Sequence, residues 1–232
     1  MTFPFPSEVM KRLTSVLTPE DALEVIFEAS SREREWLTRL WISEGIPHAF
    51  RKQPALFEAC RFWLGTKLNI DPKCITLIGS GRTGFSLSPR KFGRAYNERS
   101  DLDFSIVSAS LFERLRADAE AWLEDYREGR ASVNKHSKDS YRNIPEIIRR
   151  GFVDHWKLPV ERRYETVWIL DDCINKLTAN LLLVPEMCRF SKMSFRVYRD
   201  WPALIRQAEI NYSHTVDKIA KQKVAVRQCG RI

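Results

Sequence analysis

Two short runs of this chain carry residue types that could do chemistry together. Ile75-Thr76-Leu77-Ile78 is a short apolar strand closed by Gly79-Ser80-Gly81-Arg82-Thr83-Gly84, and Ser100-Asp101-Leu102-Asp103-Phe104-Ser105-Ile106-Val107 sets two carboxylates alternately on a second strand. Side chains on a strand alternate between faces, so Asp101 and Asp103 project together while Leu102 and Phe104 enter the other face. Carboxylates held that close repel unless positive charge lies between them, and Mg²⁺ bound through one or two carboxylates plus substrate phosphates is the common solution. The glycines of the first run let the backbone turn tightly and present N–H groups, where a phosphate is held by amides and the Ser80 hydroxyl, with Arg82 as a further contact. Each run alone also reads as an ordinary loop or strand end; in this order they read as a metal-dependent nucleotide site.

The pattern resembles the polymerase β-type nucleotidyltransferase superfamily, in which an apolar residue plus Gly-Ser opens a helix and a downstream Ser-Asp-apolar-Asp strand binds metal. The matching positions are Ile78, Gly79, Ser80, Gly84, Ser100, Asp101, Leu102 and Asp103, within about residues 74 to 108. The resemblance implies nucleotide binding by Gly79, Ser80, Arg82, Gly84 and Ser100. It also implies two Mg²⁺ or Mn²⁺ ions held by Asp101, Asp103 and a third acid, which align an acceptor hydroxyl with the α-phosphorus of a nucleoside or deoxynucleoside triphosphate. Asp154, in the aromatic and β-branched segment Gly151–Trp156, is the candidate third acid on an edge strand, with an ion pair or a cap as the alternative. Asp171 and Asp172 compete, but Val167, Leu170, Ile174, Leu177 and Leu181 recur at helical steps and put both aspartates near a wet face. His155 reads as a packing or surface residue.

The connection between Ser80 and Asp101 is longer than in minimal members of that superfamily. The insert, Pro89 to Arg99, carries Arg90, Lys91, Arg94 and Arg99 against Glu98, with Phe92 and Tyr96 among them. It reads as a phosphate or nucleic-acid contact with aromatics for stacking, or as a solvated loop.

The elements that must hold these runs are mostly helical. Thr18-Pro19-Glu20-Asp21 has a capping threonine, a proline at the first helical position and acids in the first turn. A second helix is expected over about Ser31 to Ser43, and a third opens at Pro54 with Phe57, Cys60 and Leu64 on one face. After the Asp-x-Asp strand, Ser110 to Glu113 has the form of a capping box ahead of a stripe of Phe112, Leu115, Ala119, Trp122 and Tyr126 that ends before Gly129. Gly129 to Asn143 is polar and reads as a long surface loop or lid. Arg149 and Arg150 are open to a phosphate role or a solvated one. From Tyr164 onward two or three helices are expected, one starting at Asp200-Trp201-Pro202 and ending in the basic run Lys218 to Arg227.

The expected fold class is α+β: a small mixed-sheet nucleotidyltransferase core over residues 71–160, with helical additions over 1–70 and 161–232 in one compact unit. At 232 residues and 44% hydrophobic content the chain can bury a substantial core. Its net charge of +8 favours acidic partners, nucleotides or nucleic acid. Five scattered cysteines without a Cys-x-x-Cys pair indicate neither a disulfide framework nor a zinc site. No run approaches a membrane span and Met1 to Arg12 lacks a signal-peptide core, so no membrane and a cytoplasmic setting are expected. The activity implied by the resemblance is synthesis of an oligonucleotide or nucleotide signal, as in bacterial antiviral defence. A protein acceptor, as in toxin–antitoxin systems, and a degenerate module that binds nucleotide or nucleic acid without turnover are the alternatives.

Overall fold

The computed structural model describes residues 5–11, 13, 18–131, 135–187 and 189–229. Its helices are α1 (Glu8–Lys11), α2 (Pro19–Glu28), α3 (Ser31–Ser43), α4 (Pro54–Leu68), α5 (Ser80–Thr83), α6 (Ala109–Arg127), α7 (Lys135–Arg149), α8 (Glu165–Leu182) and α9 (Trp201–Cys229). The strands are β1 (Ile75–Ile78), β2 (Leu102–Val107), β3 (Phe152–Asp154) and β4 (Met193–Tyr198), which form one mixed sheet in the order β1-β2-β4-β3. β1 and β2 run antiparallel, β2 and β4 parallel, and β3 and β4 antiparallel. The protein is therefore α+β, as its sequence predicts.

Strand period decides the two faces of this sheet. Leu77, Phe104, Phe195, Val197 and Val153 share one face and are fully buried. They meet the apolar stripes of α6 and α8, with α4 alongside α8, in a core cluster that draws on residues from Ile42 to Ile205. Phe104 and Phe195 meet edge to face at 5.6 Å, and burying each aromatic or aliphatic side chain of this kind contributes about 1.5–3 kcal/mol. The other face carries Asp103 and Ser105 from β2 and Ser194, Arg196 and Tyr198 from β4; α3 and α9, packed together, lie over its β1 and β4 sides.

The capping signal expected at Thr18 acts where it stands, and a second cap precedes α3. Thr18 caps α2 with Asp21 returning the bond, and Ser30 caps α3 with Glu33 in the same way. Hydrogen bonds donated by Ser7 and Ser30 hold the Glu33 carboxyl down at about 2. At α6 the cap is Ser108, whose hydroxyl accepts from Leu111 N–H, so the expected box at Ser110 starts two residues too late. Asp171 and Asp172 bond Asn175 and Lys176 along the wet face of α8.

Two elements differ from expectation. Within the polar stretch read as a loop, Lys135 onward is helix α7 and residues 132–134 lie outside the described residues. The helix is held by its C-terminal half, where Ile144 and Ile147 are buried and Tyr141 stacks on Tyr126 at 4.5 Å. The second is β4, which interrupts the expected run of C-terminal helices. Among the described residues no helix is long and apolar enough to cross a membrane.

Candidate nucleotide site

β1 delivers the chain to Gly79, whose φ of 67° and ψ of −158° are open to glycine alone. The single helical turn α5 follows at once, with Ser80 at its start. Gly84 closes the turn at φ 91°, where a Cβ would meet His48 Nδ1 at 2.6 Å. Gly84 is thus required by backbone conformation and by the proximity of His48.

β2 places Asp103 opposite Ile78, with Asp101 one step before the strand on the same side. The Asp103 Oδ1 accepts a 2.6 Å bond from the Ser194 hydroxyl, and Lys192 Nζ stands 3.7 Å from Asp101 Oδ2. Burial pushes the Asp103 carboxyl above its usual range; the Ser194 hydrogen bond opposes this and the charge of Asp101 adds to it. The position is built to gain from a cation.

Both acids open into a cleft of about 460 Å³, whose floor also includes Gly79 and Ser80. Arg90, Lys91, Arg94 and Arg99 line one side, all from the insert. Trp41, Ile42, Leu204 and Tyr212, from α3 and α9, form an apolar end. The insert is folded back on itself and anchored: Phe85 bridges Ala95, Ser86 N–H donates to Arg94 carbonyl at 2.8 Å, and the buried Thr215 hydroxyl on α9 donates to Leu87 carbonyl at 2.7 Å. Its cations therefore face the acids from a fixed base. The aromatics read as stacking groups do not line the cleft, and Tyr96 packs on the core with its ring 6.0 Å from His48.

Three expected site residues have other work. The Arg82 guanidinium is buried and donates to the carbonyls of Trp41 at 2.5 Å, Gly45 at 2.9 Å and Glu44, closing the C-terminal end of α3. Burial pushes it down to about 10, and it touches the cleft wall without offering its charge there. The Ser100 hydroxyl accepts from Asn97 N–H at 3.1 Å and shapes the turn ahead of Asp101. Asp154 lies on β3, beyond β4, and is not brought to the acid pair; two strand spacings alone separate it from β2 by roughly 10 Å. It is 2% exposed, bound to Arg196 at 2.5 Å and Lys157 at 3.2 Å, so the ion-pair alternative describes its geometry. Arg149 pairs with Glu146 and Arg150 packs on Phe152, both away from the cleft.

The residues missed from sequence are Lys192, just before β4, and Ser194 and Arg196 on it. Their signal was the alternation Met193-Ser194-Phe195-Arg196-Val197-Tyr198, a period of two between turn residues. Comparison with family models, curated proteins and solved structures yields no match to this chain.

Two carboxylates and a wall of cations suit one Mg²⁺ or Mn²⁺ carried on a polyphosphate, since such ions take one or two protein carboxylates and fill their shell from phosphates and water. Two ions do not fit this donor set. Among the described residues no group of three or more His, Cys, Asp or Glu gathers where it could hold a metal ion.

Proposed function

We propose that the cleft binds a nucleoside triphosphate with a divalent cation and transfers its nucleotidyl group to an acceptor hydroxyl with release of pyrophosphate. The observation that carries this reading is the acid pair Asp101 and Asp103 facing Arg90, Lys91, Arg94 and Arg99 beside the Gly79-Ser80 turn. The antiparallel β1–β2 pair joined through that turn supports a nucleotidyltransferase core, the finer fold implied by the resemblance.

The insert's cations bind and orient the β- and γ-phosphates and neutralise charge that builds on the leaving pyrophosphate. Ser80 holds a phosphate oxygen beside them. Asp101 and Asp103 would hold the divalent cation, which would supply Lewis-acid polarisation at the α-phosphate and lower the charge there. The apolar end formed by Trp41 and Tyr212 takes the nucleobase and keeps water from it. The acceptor we propose is another nucleotide, giving an oligonucleotide or nucleotide signal of the antiviral-defence kind, in keeping with the net charge of +8.

A second reading has its own observation. Ser194, not an acid, is the β4 residue beside Asp103, which favours a module that binds nucleotide without turning it over. Incubation with Mg²⁺ or Mn²⁺ and each labelled ribo- and deoxyribonucleoside triphosphate separates these readings, with Asp101→Asn/Asp103→Asn as control. Soluble oligomers lost in the double variant support synthesis, label on protein points to a protein acceptor, and binding without any product supports the second reading.

A further inference from the structure

On the side away from β1 the acid pair has one neighbouring strand, β4. A β4 side chain that shares a cation with Asp103 must lie in register with it and on the same face, and that position is Ser194. The same face of β4 continues with Arg196 in one direction, and the residue before the strand in the other is Lys192. Alongside the two acids, this face of β4 and the residue before it therefore present ammonium, hydroxyl and guanidinium.

The local bonds follow that pattern. Ser194 donates to Asp103 Oδ1 at 2.6 Å and occupies a lone pair that a bridging carboxylate would need. Lys192, 3.7 Å from Asp101, brings positive charge to the outer acid. Arg196 is committed to Asp154, which holds the next acid along the sheet away from the pair. Paired-ion sites hold their metals about 3.5–4 Å apart through bridging oxygens, and each Mg²⁺ demands close to six oxygen ligands. Among the described residues, Asp101 and one free edge of Asp103 leave no third carboxylate to bridge a second ion to the first.

Building on the nucleotide-binding reading above, we infer that this cleft takes a single divalent cation, delivered on the triphosphate, and that a second is excluded because Ser194 stands where a third carboxylate would have to be. Ser194 also sets the orientation of Asp103, holding the carboxylate so that Oδ2 remains for the one ion.

The test is a Mn²⁺ titration followed by electron paramagnetic resonance on the full chain, with the α,β-methylene analogues of ATP, GTP, CTP and UTP as probes. The wild-type protein is expected to retain one Mn²⁺ per chain with its preferred analogue, without Mn–Mn coupling in the spectrum. Ser194→Asp is expected to double the bound Mn²⁺ and to show that coupling, whereas Ser194→Ala stays at one. Two ions in the wild-type protein overturn the inference and leave the nucleotide-binding reading standing. A Ser194→Asp protein that remains at one ion overturns the role given to Ser194. Failure to retain Mn²⁺ with any of the four analogues overturns both the inference and the reading beneath it. The wild-type count needs no variant, so the inference stands or falls even if Ser194→Asp does not fold.

Discussion

Asp103 shows how a residue can be costly to the apoprotein and useful to the bound one. Its carboxyl is raised by burial and by Asp101, so the sign of its contribution can be worked out. Below the ordinary carboxylate range both folded and unfolded chains keep the proton, and nothing is lost. As pH rises toward the raised folded value the unfolded chain releases its proton first, and stability is lost across that window and stays lost above it. Asp103→Asn removes the loss. In thermal scans without divalent cation the variant should melt above wild type at pH 7, with the difference shrinking toward pH 4. A variant that melts lower at pH 7 would argue against a destabilising buried charge. Arg82 gives the opposite case, a charge fully used by the fold. Its three carbonyl partners have few other donors, and each lost bond to a charged group costs about 1.5–3 kcal/mol before partial repair by water. Arg82→Ala should destabilise by about 3 kcal/mol in denaturant unfolding, and a change confined to nucleotide affinity would return Arg82 to the phosphate role its sequence position implied.

At the scale of elements, legibility followed how local the determining forces were. Thr18 with its returning acid defines a helix start through contacts three residues apart, and α2 begins where that signal stands; α3 begins at Ser31 as expected, with Ser30 as a cap missed from sequence. The β1–turn–α5 and Asp-x-Asp runs were legible for the same reason: glycine conformations and strand period are local. The helix α7 was not, because its first half is polar and its anchoring depends on tertiary packing, Tyr141 on Tyr126 of α6 and the burial of Ile144 and Ile147, that its own residue pattern does not announce. The strand β4 was hidden by six residues that gain their meaning only between β2 and β3, and with it went the true neighbours of Asp103. Likewise the charge of Arg82 and the sequence around Asp154 said nothing of the carbonyls and the arginine that claim them. The basic insert lies between these cases, since its charge was legible and its anchor was not. Thr215→Val deletes the hydroxyl that ties Leu87 to α9 and keeps the side-chain shape. The loop's amides should exchange faster with solvent, and nucleotide affinity should fall about fivefold for roughly 1 kcal/mol of lost positioning. Unchanged exchange at Ser86 to Lys91 would show that the anchor is elsewhere.

Across the whole molecule, charge is divided between screened and unscreened parts of one cleft. The insert's Arg90, Lys91 and Arg94 are exposed, whereas Asp103 lies largely within the fold. Salt reaches the first group and not the second, because the screening length falls from about 10 Å at 0.1 M to about 3 Å at 1 M for exposed charges only. An exposed charge contributes little to folding, about 0–1 kcal/mol, but several converging on one polyphosphate act together. Replacing Arg90, Lys91 and Arg94 with alanine lowers the formal charge of +8 by three and leaves the apolar core untouched. The triple variant should therefore unfold within about 1 kcal/mol of wild type and bind a triphosphate analogue with Mg²⁺ some 10- to 100-fold more weakly, roughly one half to one kcal/mol for each lost cation. Its binding should also lose most of its dependence on salt: wild-type affinity falls about tenfold from roughly 0.05 to 0.5 M NaCl, and the variant's stays nearly level. Calorimetric titrations at several salt concentrations measure both quantities. A triple variant with the wild-type slope would mean that the phosphates lie away from the insert, and the cleft would then have to be reassigned from the acid pair outward.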